Sequence, residues 1–249
     1  MIHDQHYSRN QVYAKRMLPR KQKLRGRAAK FDCLSTNDPL QGKINTSMYA
    51  VRGRAMTVES PRDIEGLLRI GRIVALAIRA MHDATQPGIT TRELDAIGAA
   101  VLQEHGARSA PQLMYKFPAA TCISINDVVA HGIADQRTIR AGDLVNIDVS
   151  AELDGYFGDA GMSFAIAPVS AETQRLCDAG KRALNEAIAA TRVGSRINAV
   201  GRAVEQVAYE SGYHIIRDLG GHGVGRALHE EPRRIPNYFT NRAKDKLVP

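Results

Sequence analysis

The dipeptide Asp154-Gly155, set between Leu153 and Tyr156, constrains this chain more than any other feature. An Asp-Gly pair flanked by apolar residues favours a two-residue type I′ turn, because both central positions need a positive φ. Such a turn pairs Leu153 with Tyr156 and carries the register back to Asp148 opposite Gly161. Asp159 is two residues from Gly161 and therefore shares a face with Asp148. Diagonal cross-strand neighbours lie about 7–8 Å apart, near enough for two inward-leaning carboxylates to share one cation or bridge two. Gly161 adds no side chain and leaves space beside Asp148. Two polar residues on a solvated hairpin face would show the same spacing, and a one-residue slip would send one of them to the other face. The run Asp143 to Val149 is apolar at Leu144, Val145, Ile147 and Val149. A carboxylate buried in such a run needs a partner or a metal.

The rest of the chain can surround such a hairpin with a real core. At 249 residues, 44% hydrophobic and 24% charged, it reads as one globular domain or two small ones. No apolar run approaches the roughly 18–20 residues that span a bilayer; the patch from Leu67 to Met81 is broken by Arg69, Arg72 and Arg79. Three widely spaced cysteines, Cys33, Cys122 and Cys177, argue against a disulfide framework and for a reducing, cytoplasmic setting. Residues 1–54 hold twelve basic residues against three acids, a net of +9, so the other residues sum to −1 within a total of +8. The reading is a body beginning near residue 55 with a basic N-terminal extension over 1–54, partly disordered. The extension could touch an anionic surface such as the RNA of a ribosome, serve as a solvated tail, or act as a targeting segment, although serine is scarce in it.

Ser60-Pro61-Arg62-Asp63 offers a cap, a first-turn proline and a first-turn acid for a helix through Ile64, Leu67, Leu68, Ile73, Leu76 and Ile78. Thr90 and Glu93 cap a second helix that ends by Gly106. Ala119 to Ile125 reads as a strand, followed by a loop with Asn126, Asp127, His131 and Gly132. After the hairpin, Ser170 and Glu172 open a helix through Ile188, and another runs from Ser195 to Gly212. A short strand at Tyr213–Ile216 leads into the glycine cluster Gly220 to Gly225. The order helix, helix, strand thus occurs before His131 and again before His222, which implies an α+β architecture with related halves.

His222 stands between glycines and His229 follows in His229-Glu230-Glu231-Pro232. Their odd separation puts them on opposite faces of a regular strand, so a shared site requires a kink, for which Gly223 and Gly225 give freedom. The glycines also match a phosphate-binding turn, but no helix-forming segment follows Gly225. Any one of His131, His222 or His229 suits a structural role; all three with the aspartate hairpin point to a metal or catalytic site.

His131-Gly132-Ile133, Asn146-Ile147-Asp148-Val149, Gly158-Asp159, Gly221-His222-Gly223-Val224-Gly225 and His229-Glu230-Glu231-Pro232 occur in that order, with Cys122-Ile123-Ser124-Ile125-Asn126 ahead of them all. This set closely resembles the type I methionine aminopeptidases from about Val58 to Pro232. The resemblance implies the pita-bread (creatinase/aminopeptidase) fold with pseudo-twofold halves around a dinuclear centre, a catalytic domain over 55–249, and removal of the initiator methionine from nascent proteins. It implies that Asp148 and Asp159 bridge metals, that His222 binds one, and that His131 and His229 hold the substrate peptide and stabilise the transition state. Carboxylate and imidazole ligands suit divalent Co, Mn, Fe or Zn, and a metal pair about 3.5–4 Å apart polarises a carbonyl and activates water. Cys122, Phe117 and either Met114 or Tyr115 fall in the segment that forms the family's methionine pocket, where Phe117 replaces a tyrosine.

The same resemblance implies two further strands after the His-Glu-Glu-Pro motif, each with a glutamate ligand. Here the only acid after Glu231 is Asp245, so the catalytic domain reads as C-terminally incomplete, with its last strands missing: a fragment or a degenerate paralogue. The implied partners are a nascent polypeptide N-terminus and a ribosome bound through the basic extension, with no membrane and a monomeric state. Two rival readings remain: a catalytically dead relative that binds peptides or ribosomes, and a pita-bread peptidase that cleaves before proline.

Overall fold

The computed structural model describes residues 58–248; the basic extension over 1–54 lies outside the described residues. Helix α1 spans Pro61–Ala84, with the Ser60 hydroxyl accepting from the Asp63 N–H and proline in the first turn. Helix α2, Thr91–Glu104, starts with a reciprocal Thr90/Glu93 capping box. The expected caps of both helices are therefore observed. Their apolar stripes, Ile70, Val74, Ala77 and Met81 on α1 and Leu94 and Leu102 on α2, are buried against each other and the sheet.

That sheet is built around one long strand. After β1 (Arg108–Ser109), α3 (Ala110–Tyr115) and β2 (Cys122–Ile125) come β3 (Leu144–Leu153) and β4 (Tyr156–Ala165). Strands β1, β2 and β4 all pair antiparallel to β3. The β3–β4 register runs from Leu153 opposite Tyr156 to Asp148 opposite Gly161, as the Asp-Gly turn requires, with Asp154 and Gly155 both at positive φ. Val145, Ile147 and Val149 are fully buried against the helices, while Asp148 lies on the other face. Each such isoleucine or valine removed from water contributes about 1.5–3 kcal/mol, which is what resists a register slip. The expected strand from Ala119 is shorter: residues 119–121 are held instead by the Asp95 carboxylate, which accepts from the Ala120 and Thr121 N–H groups and the Thr121 hydroxyl.

The second half repeats a helix pair ahead of a sheet. Helix α4, Ala171–Ala190, is capped by Ser170 as expected, and α5 spans Ile197–Glu210. A small sheet follows, made of β5 (Gly220–Gly223) and β6 (Glu230–Pro236). Two expectations are corrected here. Residues Tyr213–Ile216 form no strand; the Tyr213 N–H bonds back to the Ala208 carbonyl and a turn closes from Leu219 to Ile216, so β-branched residues without a pairing partner stay irregular. The glycine cluster is itself the strand, not a phosphate turn. Cβ atoms at Gly220 and Gly223 would sit 2.7 Å from carbonyl oxygens of the facing strand, so only glycine permits this pairing. After β6 the chain returns to the start of α5, with Lys246 bridged to Arg196 and the Leu247 and Ser195 backbones bonded. Among the described residues no helix is long and apolar enough to cross a membrane.

Candidate functional site

The β3–β4 hairpin brings Asp148 and Asp159 to one face, diagonal across the ladder, with Gly161 beside Asp148. The two carboxyls lie close enough for Asp159 to act on the ionisation of Asp148. Burial, reinforced by the neighbouring Asp159 charge, pushes the Asp148 carboxyl up to about 7, as expected when two carboxylates share one site. Cys122 faces Asp148 across the β2–β3 ladder. Its thiol is buried and pushed up to about 12, by burial first and then by the Asp148 and Asp159 charges, so it sits there as a neutral, apolar wall rather than as a nucleophile.

The histidines arrive from the second sheet. The β5–β6 ladder shifts register between Gly221 and Gly223, which places His222 at a bulge. His222 Nε2 lies 3.3 Å from an Asp159 carboxylate oxygen, with both side chains about one-fifth exposed. Its Nδ1, 3.1 Å from the Gly223 carbonyl, must donate there, which fixes the ring and leaves Nε2 facing the carboxylates. The Asp159 contact raises the imidazole's pKa. His229 precedes β6, and its ring centroid is 4.0 Å from that of His222. The two histidines therefore meet across adjoining strands, with the bulge at His222 and the chain reversal through Gly225 between them. Burial lowers the His229 pKa, with the His222 charge adding to it, and its Nδ1 is 3.0 Å from the Tyr115 hydroxyl.

His131 stands at positive φ in the loop after β2, close enough for its charge to act on His229. The next residue ties that loop down: the Gly132 carbonyl accepts from the Ile123 N–H, and the Gly132 N–H donates to the Ser124 hydroxyl. Of the pocket candidates, Tyr115 reaches His229, whereas Met114 packs against the buried cluster of Ala110, Phe157 and Leu228. Phe117 is half-buried and shows no tie to the histidines. Two surface cavities, of about 360 and 480 Å³, lie elsewhere, around Asn126 and Arg140 and around Leu102 and Arg108.

Carboxylate oxygens and an imidazole nitrogen fit a divalent metal in kind. The Asp148–Asp159 and Asp159–His222 contacts bring them together in pairs. Among the described residues, however, no group of three histidines, cysteines or acids is yet arranged to hold an ion. The sequence missed one part of this region. Arg226, between His222 and His229, bonds Asp63 at the start of α1, and a partner so remote in sequence leaves no local signal.

A profile of metallopeptidase family M24 matches residues 65–249. The chain belongs to that family. Methionine aminopeptidase 2 of Bacillus subtilis is 47% identical over 185 residues, covering 74% of this chain and 74% of that protein. A methionine aminopeptidase of Staphylococcus epidermidis is 43% identical over 78% of this chain and 76% of its own length. Among solved structures, the methionine aminopeptidase of Thermotoga maritima superposes with a TM-score of 0.74 at 29% identity, covering 78% of each chain. That of Rickettsia prowazekii gives 0.73 at 33% identity and 77% of each chain. The α+β pita-bread fold expected from the sequence is thus shown. A prolidase from Pyrococcus furiosus shares that fold at 23% identity and a TM-score of 0.67, a likeness of architecture alone.

Proposed function

We infer that this chain is a metal-dependent aminopeptidase that removes the N-terminal methionine from nascent proteins. The observation that carries the reading is the meeting of Asp148 and Asp159 from one sheet with His222 and His229 from the other, in a chain 47% identical to a methionine aminopeptidase. Asp148, Asp159 and His222 would serve as ligands to a centre of two divalent ions, Co, Mn, Fe or Zn. When bound, such ions polarise a carbonyl and activate water at neutral pH.

The protein's own groups do the rest. His229, its Nδ1 engaged by Tyr115, has Nε2 left to bond the substrate's peptide oxygen, and His131 supports the same end. Cys122 and Phe117, with Tyr115 in preference to Met114, line the side where methionine is recognised. The reading includes a cytoplasmic monomer with residues 55–249 as the catalytic domain.

Release of free methionine from a Met-Ala peptide, against a Leu-Ala peptide and a peptide with proline second, tests the activity with Co or Mn added. Selective release of methionine is expected. Cleavage limited to the bond before proline would replace this reading with the rival peptidase.

The basic extension over 1–54, at +9 beside a near-neutral body, binds ribosomal RNA through phosphate contacts in this reading. Its affinity then falls steeply with salt as counterion release is lost. Co-sedimentation with ribosomes at two salt concentrations decides this: the full chain should pellet and one lacking 1–54 should not, and equal pelleting would make the extension a passive tail.

A further inference from the structure

The hairpin of carboxylates and the strands of histidines belong to different sheets, so something must hold them in register. Strands β5 and β6 pack on each other, and β6 packs on α5. Beyond the Asp159–His222 and Tyr115–His229 contacts of the histidines themselves, the loop between the strands, residues 224–229, is held to the first half of the fold at three points. The Gly225 carbonyl accepts from the Phe157 N–H at 2.8 Å. Leu228 is buried with Ala110 and Phe157. The third anchor is directional and charged: the Arg226 guanidinium donates to the Asp63 carboxylate at 3.1 Å and also to the Tyr156 hydroxyl, and lies 4.1 Å above the Tyr156 ring.

Each partner of Arg226 is itself fixed. The Asp63 carboxylate accepts from the Ser60 hydroxyl at 2.7 Å, the Tyr156 hydroxyl at 2.8 Å and the Glu59 N–H at 3.2 Å. Tyr156 is buried against α1, where a Cβ on Gly66 would overlap its ring at 2.4 Å. A carboxylate at a helix start, bonded by hydroxyls and a guanidinium, is a stiff, ionised acceptor.

We propose that Asp63, Tyr156 and Arg226 form a latch that positions His222 and His229 over the carboxylate pair, through the loop joining the two histidines. These are positioning residues, and the proposal rests on the functional reading above only for the metal's part in it. Arg226 is four residues after His222 and three before His229, so freeing its side chain removes the charged hold midway between the two rings and loosens both. Outer partners that orient ligands commonly contribute 10–100-fold in metal affinity.

The test uses the full chain with three substitutions: Arg226→Met, which keeps length and loses the donors; Tyr156→Phe, which keeps the ring on Gly66 and loses the hydroxyl; and Arg69→Met. The last cuts the neighbouring Arg69–Asp154 pair at the hairpin turn and serves as control. Ring-nitrogen NMR signals of His222 and His229 in the metal-free chain are read first, then cobalt affinity by calorimetry. Arg226→Met should move both histidine signals and weaken cobalt about tenfold. Tyr156→Phe should move the same signals in the same direction by less, and Arg69→Met should move neither. Unmoved histidine signals in Tyr156→Phe and in folded Arg226→Met, with only the melting temperature lowered, overturn the latch, as does an equal response from Arg69→Met. If Arg226→Met does not fold, Tyr156→Phe carries the decision. Should the unsubstituted chain bind no cobalt, the metal reading falls, while the ring signals still decide the latch.

Discussion

The two helix pairs start alike and end differently. Helices α1 and α4 both begin at a serine cap, and both are long and amphipathic. Yet α1 buries eight residues against α2 and the four-stranded sheet, whereas α4 buries none and leaves Leu184 and Ile188 more than half exposed. The difference lies in what each meets. β3 offers ten residues paired to β4 on one edge and in part to β2 and β1 on the other, while β5–β6 is a two-stranded ribbon packed on α5. A ribbon of two strands is marginal without further support. Local propensity and capping thus make a helix; a wide enough partner surface makes a core.

Four substitutions can break that contrast. The largest effect is expected from Ile147→Ala, which empties a fully buried position under α1 and should cost about 2–5 kcal/mol by urea denaturation. Gly132→Ala places a Cβ 2.1 Å from the Ile123 carbonyl oxygen. It should cost about 1–3 kcal/mol as overpacking and shift the His131 ring signal. Gly180→Ala inverts the sign: the position is inside α4 with nothing within 4 Å of the new Cβ, so about 0.5–1 kcal/mol of stabilisation is expected. Leu184→Ala, 57% exposed, should stay within about 0.5 kcal/mol. A loss at Leu184 as large as that at Ile147 would mean that α4 is covered in solution, and the contrast would fail.

What the sequence made legible follows the same division. The hairpin register was readable because an Asp-Gly turn and a buried apolar alternation both demand it, and with it came the shared face of Asp148 and Asp159. The helix starts were readable from Ser60, Thr90 and Ser170, whose side chains bond within three residues. Strands β5 and β6 were not, since the one is glycine apart from His222 and the other carries Glu231, Pro232, Arg233 and Arg234. Pairing there is set by how closely two backbones approach, which has no apolar pattern. The expected strand at Tyr213–Ile216 failed for the complementary reason: its residues suit a strand and find no partner. The sequence singled out His222 and His229, which the structure brings together, but how they meet depended on a bulge, and the Asp63–Tyr156–Arg226 contact on three distant segments.

Calorimetric titration with Mn or Co of the unsubstituted chain and of Asp148→Asn with Asp159→Asn tests the central claim most directly. The amides are nearly isosteric with the carboxylates but lack their charge, so the hairpin should persist while the ligand set is lost. Stoichiometric binding by the unsubstituted chain and none by the double variant is the predicted result. Unchanged stoichiometry in the double variant, or no binding by either chain, would contradict the assignment of a metal site to this hairpin.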